Sequence, residues 1–226
     1  MTGGGRIAGD SPRLPPYVVM AAGIAAVSTG AIFARLADAH PIVIAAYRLG
    51  IAAVLLCPWA LWKTRSELRG ARPGSLAMAA LSGGFLALHF ATWISSLSLT
   101  SVANSVVLVN TNPLWVALLT PLFTRDTISS RAKLGIAASI AGAVVIGAGD
   151  FHTDPDTLLG DGLAILGSIC AAIYLLIGRR LRARLSLMAY ILICYGGAAL
   201  VLWSMVFFLR LPVSGFSPAT WGAFIG

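Results

Sequence analysis

The sequence predicts an all-α polytopic membrane protein, with about seven transmembrane helices plus the start of an eighth. Three observations predict it. Of 226 residues, 58% are hydrophobic and only 11% charged, against about 25% charged in an ordinary soluble domain. The mean hydropathy is +0.87. The apolar residues fall into runs near 20 long, the length that crosses roughly 30 Å of hydrocarbon at about 1.5 Å per helical residue. These runs lack the strict alternation of barrel strands and are too long for them, so helices are favoured over a β-barrel.

The predicted spans are 17–37, 41–62, 74–97, 101–123, 132–149, 160–178 and 187–209. In the first, the small-residue stretch Ala37-Asp38-Ala39 resembles a cleavage site, but the run is longer than a leader peptide's apolar region, so a retained span is expected. In the fourth, Pro113 removes an N–H and predicts a kink beside Asn112. The stretch from Ser217 to Gly226 reads as the start of an eighth span, with Pro218 in its first turn and Trp221 at the interface. It is followed by no polar tail, and a longer protein is expected.

The net charge of +8 would suggest nucleic acid if it formed one patch, but it is divided among short clusters, so no nucleic-acid partner is expected. The clusters read as topology. Thirteen of the 16 basic residues lie in alternate segments: Arg6 and Arg13; Lys63, Arg65, Arg69 and Arg72; Arg125, Arg131 and Lys133; Arg179, Arg180, Arg182 and Arg184. Arg35 and Arg210 lie opposite, and Asp150, Asp154 and Asp156 also belong to that outer side. By the positive-inside rule the N-terminus is cytoplasmic.

At an offset of 144, Gly23 falls on Gly167 and Arg35 on Arg179; near 146, Gly50–Leu56 faces Gly196–Leu202. The loop after span one is poor in Lys and Arg, whereas the one after span six holds four Arg. That contrast is expected if equivalent five-span units lie in opposite orientations, a device of secondary transporters. The expected organisation is a cytoplasmic segment 1–16, a first unit 17–149, an outer loop 150–159 and an incomplete second unit 160–226, from a ten-helix 5+5 fold.

Arg48, inside span two, costs about 2.5–3.5 kcal/mol or more at a helix centre, and no Asp or Glu lies deep within a span, the nearest acids, Asp38 and Asp161, sitting at span ends. Two readings follow: it lines a water-filled cavity and attracts a substrate carboxylate or phosphate, or it caps helix carbonyls or pairs with Asp38. Ser82, Phe85, His89, Trp93 and Ser96 share one face of span three. Span four carries Ser101, Asn104, Ser105, Thr111, Asn112 and Trp115, with Asn110 opposite. Such faces either join helices by hydrogen bonds or line a path for an organic molecule. Tyr174 and Tyr195 are weaker candidates. His89 is the residue deep in a span that titrates near neutral pH; were transport coupled to protons, it or a residue outside this sequence would carry them.

Enzyme readings fail on spacing. Gly147-Ala148-Gly149-Asp150 matches the GxGD pattern of intramembrane aspartyl proteases, but their Tyr-Asp partner is missing and that chemistry needs two carboxylates. GxSG and GxxxxGK[ST] are also missing. His40, His89 and His152 offer no metal-ligand spacing. Cys57, Cys170 and Cys194 lie in apolar runs and read as packing residues. No enzyme activity and no cofactor are expected.

The chain resembles the EamA-type family of the drug/metabolite transporter superfamily. Arg48, the run Leu97–Asn104, Asn112–Leu119, Gly160-Asp161, Ala171–Tyr174 and Arg179-Arg180 carry the resemblance across most of 17–226. It departs at Arg125-Asp126, where the family usually has Gly-Glu. The resemblance implies ten helices in two inverted units, both termini cytoplasmic, and a central cavity fed by helices three and four and their mates. The implied activity is export or exchange of a small metabolite such as an amino acid by alternating access, in the inner membrane of a bacterium. Arg48, His89, Trp93, Asn104, Asn112 and Tyr174 are the expected cavity residues. The expected partners are a small-molecule substrate and the lipid bilayer, with proton coupling and a homodimer left open. The alternative function is that of a non-transporting membrane sensor or assembly partner.

Overall fold

The computed structural model describes residues 15–123, 129–148 and 154–225. Arg6, Arg13, Arg125, Asp126, Gly149, Asp150 and His152, and with them the GxGD stretch and the Arg-Asp departure, lie outside these. Nine helical segments are described: α1 Pro16–Leu36, α2 Pro41–Gly70, α3 Pro73–Leu99, α4 Val102–Val109, α5 Asn112–Phe123, α6 Ser130–Ala148, α7 Pro155–Leu181, α8 Leu187–Phe208 and α9 Pro218–Ile225. Among the described residues, six stretches are long and apolar enough to cross a membrane: α1, α2, α3, the α4–α5 stretch, α7 and α8. The fifth predicted span is helical as α6 but is not among the six; Arg131 and Lys133 occupy its first turn.

Proline and short polar caps set the starts. Pro16, Pro41, Pro73 and Pro155 occupy first-turn positions whose N–H groups would be unpaired in any helix. Ser101, Asp154 and Ser186 accept from the backbone N–H groups of Asn104, Thr157 and Ala189, capping α4, α7 and α8. The cap at Asp154 holds its carboxyl below the usual range, chiefly through the hydrogen bonds from Thr157. At the other end of α8 the Leu211 N–H bonds Val206 O and the Arg210 N–H bonds Phe207 O. Arg210, at φ 53°, thus sits in the left-handed position of a Schellman turn that glycine usually fills.

Three predicted boundaries move. Helix α7 begins at Pro155, five residues before the expected start at 160 and inside the expected outer loop 150–159, because Asp154 caps it and Pro155 fits its first turn. Span two runs on to Gly70, so Lys63, Arg65 and Arg69 extend the helix rather than form a loop. Thr64, a buried residue of this extension, bonds Ala60 O one turn back, and Glu67 Oε1 accepts the Ser186 N–H at 2.6 Å. That bond also brings the Lys63–Arg72 and Arg179–Arg184 clusters to one end of the molecule. Span four is broken at Asn110 and Thr111, two residues before the predicted kink, because Pro113 suits the first turn of a new helix better than the interior of an old one.

Helix α3 lies at the centre and packs on α7 and α8; α2 packs on α8, α4 and α5 on α7, and α1 on α9. The centre is lined with small residues. Ala79, Ala87, Ala164, Ala172 and Ala198 are fully buried, and Ser82, Ser96, Ser105 and Ser168 lie inside with them. Large apolar side chains such as Leu55, Trp62, Phe207 and Phe208 are exposed. This inversion of the soluble pattern is what hydrocarbon surroundings favour: small residues let backbones approach, and polar ones find partners in the interior.

Candidate functional site

The polar face of α3 points inward and is largely consumed by interhelical hydrogen bonds. Ser82 Oγ donates to Tyr174 O at 3.2 Å and lies 2.7 Å from Tyr190 Oη, whose hydroxyl also reaches Tyr174 O. Ser96 Oγ lies 2.6 Å from Ser105 Oγ. These two serines join helices. Between them, His89 Nδ1 lies 2.9 Å from Gly167 O. A carbonyl only accepts, so Nδ1 carries a hydrogen, and in the neutral ring Nε2 keeps its lone pair. Gly167 permits this approach: a methyl there would lie 3.0 Å from Thr92 Oγ1 and 3.4 Å from His89 O.

The rings form a stack. His89 and Trp93 lie nearly parallel, 5.9 Å between centroids and 11° between planes, and Tyr174 stands 6.4 Å from His89. The Trp93 indole Nε1–H is buried and has no hydrogen-bond partner among the described residues. A buried N–H without an acceptor costs about 1–3 kcal/mol.

Arg48 meets Trp93 across Gly30 of α1. A methyl on Gly30 would lie 3.2 Å from Arg48 Nη2, which would have to give by a few tenths of an ångström, and in ordinary contact, 4.0 Å, with Trp93 Cη2. Half-buried Arg48 donates through Nη1 to Ala223 O of α9 at 3.3 Å. Of the two sequence readings, the bond to a helix carbonyl is present. Asp38 meets the same helix through its backbone N–H, which donates to Thr220 Oγ1 of α9. Beside Arg48, Tyr47 stacks on Phe224 at 4.6 Å and meets Trp203, Phe216 and Trp221 edge-on, while its hydroxyl donates to Val213 O.

The structure therefore brings Arg48, Trp93, His89 and Tyr174 into one neighbourhood. Asn104 is buried in the first turn of α4. Asn112, half-buried at the start of α5, has no hydrogen bond to Arg48, His89 or Trp93 among the described residues. A cavity of about 390 Å³ opens at the α4–α5 break, lined by Val106, Asn110, Thr111, Pro113, Ile136 and Ser139 among others. It belongs to the face of Asn110, not to that of Arg48. Sequence reasoning passed over Gly30 and Tyr190. Gly30 lies seven residues after Gly23 on one face of span one, a spacing that could have singled it out; nothing in the sequence pointed to Tyr190 as the partner of Ser82.

Three similarities bear on this arrangement. The profile of the EamA-like transporter family matches residues 15–148. An "Uncharacterized transporter" of Archaeoglobus fulgidus is 30% identical over 150 residues, 65% of this chain and 50% of that protein. "Uncharacterized transporter YyaM" of Bacillus subtilis is 27% identical over 189 residues, 79% of this chain and 60% of that protein. The chain thus spans about half the length of these curated relatives. A solved crystal structure superposes with a TM-score of 0.65 at 19% identity, covering 92% of this chain and 74% of that one, which extends the likeness to the fold.

Proposed function

The chain belongs to the EamA-like transporter family, and from that premise we propose that it carries a small organic anion across the bacterial inner membrane, its carboxylate docking between Arg48 and Trp93. The observation that carries this is the buried Trp93 Nε1–H with no acceptor among the described residues, on a ring whose outer edge faces Gly30 together with the Arg48 guanidinium. A carboxylate gives the indole N–H an acceptor and meets the positive charge of Arg48 in the same neighbourhood, where a charged acceptor makes the stronger hydrogen bond. The stacked His89, Trp93 and Tyr174 rings suit an organic body. An amino acid or related metabolite fits this chemistry, and the proposed direction is export, with the N-terminus cytoplasmic. Where protons are coupled to transport, His89 Nε2 is the proposed carrier.

Alternating access by two inverted units, 17–149 and 160–226, accounts for the packing. Exchanging α1 with α7, α2 with α8 and α3 with α9 turns the α3–α7 pair into α9–α1 and α3–α8 into α9–α2, and returns α2–α8 to itself. Each of these pairs packs, which supports a two-fold lying in the membrane plane between α2 and α8.

The test is uptake and counterflow in proteoliposomes with Trp93→Phe and Arg48→Gln. Trp93→Phe keeps an aromatic ring and removes a hydrogen bond to a charged acceptor, about 1.5–3 kcal/mol. The apparent affinity for a carboxylate substrate is expected to fall roughly 10- to 100-fold, with membrane insertion intact. Wild-type affinity in both variants would remove the pair from the site.

A further inference from the structure

At the end of the molecule that holds both basic clusters, a second cavity of about 330 Å³ is lined by Gly70, Ala71, Arg72, Ser75, Arg184 and Leu185. It sits where the α2–α3 turn meets the α7–α8 turn, the two held together by the Glu67–Ser186 bond. Ser75 is 3% exposed, yet its hydroxyl forms no hydrogen bond among the described residues, and neither do the guanidinium groups of Arg72 and Arg184. The α3 N-terminus beside them has no side-chain cap. Two cations, the hydroxyl of a buried serine and the positive end of a 27-residue helix converge on one space. Glu67, the acid nearest in sequence, is already committed to the Ser186 N–H. The cavity is separate from the Arg48–Trp93 neighbourhood: Ser75 and Trp93 are 18 residues apart on α3, about 27 Å along its axis.

We propose that this cavity binds the phosphate of an anionic phospholipid from the adjoining leaflet. The chemistry of the ligand is that of a phosphate monoanion, which two Arg side chains and a hydroxyl recognise together. A lipid is favoured over a free ion because the cavity lies at the ends of α2, α3 and α8, three helices long and apolar enough to cross a membrane, the level at which head groups lie, and exposed Leu187 follows Leu185 of its lining by two residues. Basic pockets between membrane helices are suited to such head groups. A lipid held there bridges the two turns and reinforces their contact.

The experiment is native mass spectrometry of the delipidated protein titrated with phosphatidylglycerol, comparing wild type, Arg72→Gln/Arg184→Gln, Ser75→Ala, and a control pair, Arg65→Gln/Arg69→Gln. The control removes the same charge from the same end of the molecule without replacing a residue that lines the cavity. Wild type is expected to hold one lipid more tightly than the rest. The cavity pair is expected to weaken that first lipid about 30-fold, near fivefold for each Arg; Ser75→Ala weakens it a few-fold, and the control keeps one tightly held lipid. Equal weakening by both pairs would reduce the effect to diffuse attraction and overturn the site, as would no weakening by the cavity pair. Displacement of the first lipid by millimolar inorganic phosphate would assign the cavity to a free anion and overturn the lipid assignment. Because the Arg48–Trp93 site is untouched, these outcomes are independent of the transport reading.

Discussion

Replacing Gly83 with Ala tests how closely the central helices meet. A methyl at Gly83 of α3 would lie 2.5 Å from Cys194 O, 3.0 Å from Ala198 N and 3.3 Å from Gly197 C, all backbone atoms of α8. Ordinary contact begins near about 3.5 Å, so α8 would have to retreat by about 1 Å, and backbone has no alternative rotamer to relieve the clash. Overpacking of this kind costs roughly 1–3 kcal/mol. Gly→Ala within a helix returns up to about 1 kcal/mol through propensity, which masks part of the loss. Gly84 supplies the reference, since a methyl there meets nothing within 4 Å and shows the propensity gain alone. Equilibrium unfolding in mixed detergent is expected to place Gly83→Ala about 1–3 kcal/mol below Gly84→Ala. Equal stability would refute the close approach of α3 and α8, and with it the framework that positions Ser82, Tyr190 and His89.

Two further predictions concern the same framework. In a double-mutant cycle on Ser82→Ala and Tyr190→Phe, the coupling measured by the same unfolding assay is expected at about 0.6–1.7 kcal/mol, the range for hydrogen bonds between membrane helices; additive losses would mean the 2.7 Å contact contributes nothing. Arg210→Gly is expected to stabilise the protein by about 1 kcal/mol, because Arg at φ 53° bears a left-handed cost that glycine does not; an unchanged or lower stability would show that the Arg210 side chain contributes more than its backbone costs.

Much of this was legible in the sequence, because the bilayer imposes one rule on every span. Hydropathy alone located the helices to within a few residues wherever proline or a capping residue marked the start, as at Pro41, Pro73 and Ser186. The ends were harder to place. The α2 extension to Gly70 depends on Glu67 reaching Ser186, 119 residues away, and no local pattern announces such a bond. The inward direction of the α3 face followed from spacing. Which members serve as bridges and which face a ligand did not, since Ser82 and Ser96 look as polar in a sequence as Trp93. Only their partners separate them: Tyr190 and Ser105 satisfy the serines, while the Trp93 N–H is left without an acceptor. Gly30 was overlooked for the complementary reason, that its contribution is the side chain it lacks.

The indole N–H signals of the six tryptophans in ¹⁵N-labelled protein test the central claim most directly, with the Trp93 signal assigned by its loss in Trp93→Phe. Titration with a carboxylate substrate identified by counterflow is expected to move the Trp93 signal downfield, as a new acceptor engages Nε1, while its uncharged amide analogue leaves it in place. A Trp93 signal that stays fixed at saturating substrate would contradict the docking of a carboxylate beside Arg48.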